Sequence, residues 1–154
     1  MRTIGVAVAL LALAACSKKD EAPAVDTAAV APAPAPAALT VADLTGNWDV
    51  AVKNEAGDST LTTYVLSAPA DTSKWTMQFT GRTDAIPTHI TAMAGDSVTL
   101  HAGPYSSALR KDIKVWTQAV YRLVDGKIVG KAVAHYSVKT ADSVRTLNVE
   151  GTKK

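Results

Sequence analysis

From Trp48 onward, apolar and polar positions alternate with a period of two. That pattern belongs to strands with one face on a core and the other on water. Trp48, Val50 and Val52 alternate with Asp49, Ala51 and Lys53. After the polar turn Asn54-Glu55-Ala56-Gly57-Asp58, the apolar series Leu61, Thr63, Val65 sets a second strand, and Trp75, Met77 and Phe79 set a third. Further strands are predicted over 87–93, 97–102, 115–124, 127–139 and 143–150, separated by turn residues at Gly81, Gly95-Asp96, Gly103-Pro104 and Asp125-Gly126. No stretch carries the 3.6-residue period of a long amphipathic helix. The expected class is all-β, an antiparallel up-and-down barrel of about eight strands, with a β-sandwich as the alternative.

One hairpin can be registered from its turn. Asp125-Gly126 between Val124 and Lys127 is the two-residue signal for a type I′ turn, so facing partners should have numbers summing to 251. One face then pairs Leu123 with Ile128, Tyr121 with Gly130, Ala119 with Ala132, Thr117 with Ala134 and Val115 with Tyr136. The other pairs Trp116 with His135, Gln118 with Val133 and Val120 with Lys131. The first face is the apolar one and is expected to face the core. It is unusually small around Gly130, Ala132, Ala134 and Ala119, which fits either tight curvature or space that a ligand fills.

A three-residue loop at Ala94-Gly95-Asp96 would pair Ile90 with Leu100 and Ala92 with Val98, placing His89 opposite His101 on the outer face. Two imidazoles without a third ligand make a poor metal site. They read as solvated outer-face histidines, and neither metal nor other cofactor is expected.

The N-terminus has a different grammar. Met1-Arg2 supplies a positive start, 4–15 is unbroken apolar and small, and the run ends on Leu13-Ala14-Ala15-Cys16. The run is too short to span a bilayer, which needs about 20 apolar residues. Its close resembles the lipobox of bacterial lipoproteins. The resemblance implies a signal peptide over 1–15, cleavage before Cys16 and lipid on Cys16; Ser17 leans toward outer-membrane sorting. Residues 22–38 are mostly Ala and Pro, whose alternation blocks helix and favours extended chain. The expected organisation is a signal peptide (1–15), a lipidated cysteine with a linker (16–44) and one β domain (45–154). At about 3.1 Å per residue, a tether running to Thr40 reaches roughly 75 Å. Cys16 is the sole cysteine, so the domain has no disulfide to lean on.

Gly46-Asn47-Trp48 opening the first strand, with eight up-and-down strands following, is similar to lipocalin-like and other calycin barrels. The resemblance implies that Trp48 closes the barrel floor and that an arginine near the last strand, here Arg145, packs over it.

Charge and chemistry narrow the function. Over 45–154 there are 13 Lys and Arg against 10 Asp and Glu, without a basic run, which does not suit nucleic acid. There is no Gly-x-Ser-x-Gly, no phosphate-binding glycine loop and no His-Glu-x-x-His. The expectation is a non-enzymatic, membrane-anchored envelope lipoprotein, periplasmic or surface-facing. Its barrel would bind a small apolar or amphipathic ligand near Tyr121, Tyr136, Gly130 and Ala132. Tyr105 and Arg110, in a non-strand stretch over 103–111, would stand at the mouth. The alternative is a structural or protein-interaction domain that docks an envelope protein through Trp116, Val120, Val129 and Val133.

Overall fold

The computed structural model describes residues 37–154; the expected signal peptide, Cys16 and most of the expected linker fall outside that range. Eight strands, β1 (Gly46–Lys53), β2 (Thr60–Ala68), β3 (Thr76–Phe79), β4 (Ile86–Ala94), β5 (Ser97–Ser106), β6 (Lys114–Val124), β7 (Lys127–Tyr136) and β8 (Val144–Lys153), follow one another up and down. They close into a single antiparallel barrel, with β8 hydrogen-bonded back to β1. The sandwich alternative is excluded. Apolar side chains point inward and polar ones outward, the reverse of a membrane-spanning barrel.

The β6–β7 ribbon has the register its turn demands, from Val124 opposite Lys127 to Val115 opposite Tyr136. Asp125 and Gly126 both sit at positive φ, 51° and 73°, as a type I′ turn requires. Elsewhere turns and bulges move the expected elements. The β4–β5 connection is the two-residue turn Gly95-Asp96, so Ala94 pairs with Ser97 and Met93 with Val98. A bulge at Thr91 then restores Ile90 opposite Leu100 and His89 opposite His101.

The alternation in β2 runs one residue out of step with the expectation. Tyr64, Leu66 and Ala68 are the buried positions, and Leu61, Thr63 and Val65 are not. The cause is a register shift between Val52 and Lys53, beside the 54–59 turn; because the strand period is two, one residue of slip exchanges the faces. β5 continues through Ser106, past a shift between Ala102 and Tyr105. There Gly103 (φ 114°) is required: a Cβ would meet Val115 O and Trp116 Cα at 2.9 Å.

The folded unit also begins earlier than Thr45. Leu39 N–H donates to Gly95 O at 2.8 Å, and a single helical turn, α1 (Val41–Leu44), follows. Thr40 starts it, donating from N–H and Oγ1 to the Asp43 carboxylate at 2.8 and 2.6 Å. Leu44 is then buried beneath the barrel. Residues 39–44, assigned to the linker by composition, are therefore part of the floor.

That floor is dense. Trp48, Trp75, Leu44, Leu66, Ile128, Val50 and Val98 are among the largest fully buried side chains, and they occupy the end where α1 and the turns at 95–96 and 125–126 lie. Both buried indoles are satisfied: Trp48 Nε1 donates to Leu44 O and Trp75 Nε1 to Pro69 O, each at 2.8 Å. The opposite end, where loops 54–59, 80–85, 107–113 and 137–143 gather, is the mouth.

Candidate functional site

Above the floor the inner wall changes character. All four tyrosines of the chain, Tyr64, Tyr105, Tyr121 and Tyr136, point into the upper barrel, with Phe79 and the small Ala119, Ala132 and Ala134 between them. Strand parity puts them there. Tyr121 lies opposite Gly130 and Tyr136 opposite Val115 on the inward face of β6–β7, while Tyr64 reaches in from β2 across the barrel.

The Tyr64 and Tyr121 hydroxyls bond to each other at 2.5 Å, and the Tyr105 hydroxyl makes only a long contact of 3.5 Å to Thr117 Oγ1. The Tyr136 hydroxyl has no hydrogen-bond partner among the described residues and keeps contact with solvent, since no side-chain oxygen among them is both buried and unpaired. Phe79 meets Tyr64 edge-on at 5.6 Å and Tyr105 at 5.8 Å. No charged side chain borders this space.

The volume decides what the space can hold as it stands. Gaps between the lining atoms, mouth included, total about 510 Å³, but the part that water-sized centres can occupy is about 50 Å³. The second figure is the one to set against a ligand. It corresponds to a few waters, far below the roughly 300 Å³ at which small-molecule sites begin. The barrel is nearly filled.

The lid on it is the 107–113 loop. Ser107 Oγ accepts from the backbone N–H groups of Leu109 and Arg110, both at 3.0 Å, and so bends the chain inward. Leu109 drops over the cavity, and Ile113 and Val138 pack beside it. Arg110 lies 4.6 Å over the Tyr136 ring and forms an ion pair with Asp142 of the facing loop.

The sequence-derived residues divide accordingly. Tyr121, Tyr136, Tyr105 and Ala132 line the cavity. Gly130 does not: the place of its missing Cβ is taken by the Val120 backbone, since a built Cβ would stand 2.0 Å from Val120 O, and 3.0 Å from Tyr121 Cδ1. Arg110 is at the mouth but committed to Tyr136 and Asp142, and Tyr105 is in β5 and not in a loop. Trp48 is buried at the floor. Arg145 is not its cover: it pairs with Ala134 at the mouth end of β8 and is exposed. The cation over Trp48 is Lys153, opposite it in register, with Nζ 5.4 Å from the ring. Sequence reasoning missed Tyr64 and Phe79. The misread parity of β2 hid Tyr64, whereas the 75–79 alternation already turned Phe79 inward.

His89 and His101 face outward. Among the described residues no group of three or more His, Cys, Asp or Glu is placed to hold a metal.

Burial pushes the phenols up. Tyr105 and Tyr121 rise to about 12, and Tyr64, buried against Tyr121, rises well above 10.0. A phenol that keeps its proton longer in the folded state stabilises that state fully below the unfolded value of 10.0; the stability is lost as pH climbs through about 12. An alkaline titration should therefore show tyrosinate absorbance delayed above pH 10 and developing together with loss of the folded circular-dichroism signal. Ionisation of Tyr64, Tyr105 and Tyr121 at pH 10 with the fold intact would contradict their burial.

Comparison with protein families, curated proteins and solved structures found no match to the chain.

Proposed function

We propose that the protein is a non-enzymatic binding module, anchored to an envelope membrane through lipid on Cys16, whose barrel accepts a small uncharged molecule with one polar end. The observation that carries the reading is the inner wall. Four phenols face an apolar space between alanines, and the hydroxyl of one of them, Tyr136, makes no hydrogen bond among the described residues and stays open to solvent. An uncharged ligand fits because an ionised group there would have no counter-charge to meet it. A hydroxyl or carbonyl would pair with Tyr136, or with Tyr105 and Thr117, whose mutual contact is long.

Entry requires Leu109 to lift, since the closed cavity is about 50 Å³. The Arg110–Asp142 ion pair and the Arg110–Tyr136 contact are the interactions that such opening breaks. The ion pair lies at the surface, where an exposed pair is worth about 1 kcal/mol or less, and the cation–π contact at a partly exposed arginine adds a similar amount, so the cost of opening is modest.

The test is native mass spectrometry and solvent extraction of protein purified from its own envelope, followed by calorimetric titration with neutral phenols, alcohols and quinones. A co-purifying or titrating neutral amphiphile supports the reading; an empty barrel that binds none of these probes removes it. For the anchor, metabolic labelling with a fatty acid should mark the wild type and fail on Cys16→Ala. Equal labelling of the two would refute acylation there.

A further inference from the structure

Carboxylates are absent from β4, β5, β6 and β7, whereas those strands carry Lys114, Arg122, Lys127 and Lys131 and all three histidines, His89, His101 and His135. The register places these side chains on the outer face. His101, Gln118, Val133 and Thr146 form one cross-strand row, with Trp116, His135 and Val144 on one side of it and Thr99, Val120, Lys131 and Asn148 on the other. Of the carboxylates near its edge, Asp96 pairs with Arg122, Glu150 with Lys53 and Asp142 with Arg110, whereas Asp112 and Asp125, in the loops that flank β6, are in no ion pair among the described residues. Among the described residues, Lys114, Lys127 and Lys131 have no carboxylate within ion-pair distance.

Three large exposed hydrophobic side chains, Val120, Val124 and Val144, share this face. Trp116, four residues from Val120 on β6 and in the same cross-strand row as Val144, is the one partly exposed tryptophan. His135 stacks on its ring at 3.8 Å and 7°, and His101 stands off it at 5.6 Å. With His135 over one ring face and His101 close by, Trp116 is poorly placed to stack on a sugar or a nucleobase. Its Nε1, without a hydrogen-bond partner among the described residues, remains a donor on a basic, valine-flanked surface.

We propose that this outer face docks on a membrane surface of anionic lipid, with the lysines at headgroup phosphates and Trp116, Val120 and Val144 at the interface. The tether enters the barrel at Leu39. If Cys16 is lipidated as proposed above, it keeps the face within reach of the bilayer and raises its local concentration. Docking by the face itself does not depend on that lipid.

Brominated-lipid quenching reads this directly, because Trp48 and Trp75 are buried and Trp116 is not. The full chain is mixed with vesicles of phosphatidylcholine alone, or of phosphatidylcholine with phosphatidylglycerol. Quenching is expected only with the anionic vesicles, reversed by high salt and absent in Trp116→Phe. The pair Lys127→Ala and Lys131→Ala, both at exposed positions, should weaken binding to these vesicles roughly thirtyfold. The full chain with Cys16→Ala separates the two proposals. If it is still quenched on anionic vesicles while fatty-acid labelling fails, docking stands and the anchor does not. Absence of quenching, equal quenching on both vesicles, or binding to soluble heparin without quenching on lipid would each overturn the proposal, the last in favour of a polyanionic polymer.

Discussion

Gly130→Ala is expected to destabilise the barrel by about 3 kcal/mol, a fall in Tm of roughly 12 °C for a domain of this size. The added methyl would stand 2.0 Å from Val120 O, a backbone atom held in the β6–β7 ladder, and 3.0 Å from the Tyr121 ring. Neither can yield alone: moving Val120 O breaks strand pairing, and moving Tyr121 pulls its hydroxyl from Tyr64 and leaves two buried phenols unpaired. Gly126→Ala is the control. Nothing lies within 4 Å of its Cβ, and its cost is the conformational one of a positive φ, about 1 kcal/mol. Thermal melts of the two variants that shift equally would mean that Gly130 serves its strand through backbone freedom and not as the seat of Tyr121.

That distinction bears on how the inner wall was read from sequence. The alternation and the Asp125-Gly126 turn sufficed to pair Tyr121 with Gly130 and Tyr136 with Val115, because a two-residue turn leaves a hairpin no freedom of register. They could not say whether smallness at Gly130, Ala132 and Ala134 meant packing or space. Both are present in one strand: the Cβ position at Gly130 is taken by the Val120 carbonyl with the Tyr121 ring beside it, and Ala132 and Ala134 border the cavity.

Tyr64 was out of reach for a different reason. Thr60–Ala68 alternates acceptably on either face, and the shift between Val52 and Lys53 that decides between them is a tertiary feature. Its partner Tyr121 is 57 residues away, on the far side of a barrel whose closure no turn motif encodes. Likewise the cation over Trp48 comes from the end of β8, and only the β1–β8 register selects Lys153 over Arg145. Local chemistry fixed hairpins; contacts across the closed sheet needed the sheet.

Filling the space should then separate shape from polarity in ligand capture. Ala132→Leu places three further carbons into a cavity of about 50 Å³ bordered by Ala119, opposite in register, and Leu147. Because a void receives part of the added bulk, stability should stay within about 1.5 kcal/mol of wild type. Affinity for a co-purified neutral ligand should fall at least roughly a hundredfold, about 2.7 kcal/mol, since the ligand's apolar body and the new side chain claim the same volume. Tyr136→Phe is the complementary change. It keeps the wall and the seat for Arg110 but removes the unpartnered hydroxyl, so a hydroxyl-bearing ligand should weaken by about tenfold and its deoxy analogue hardly at all. Calorimetric titration of both ligands against both variants gives the pattern. If Ala132→Leu, shown to be folded, binds with unchanged affinity, the ligand sits outside the barrel and the tyrosines serve only the core.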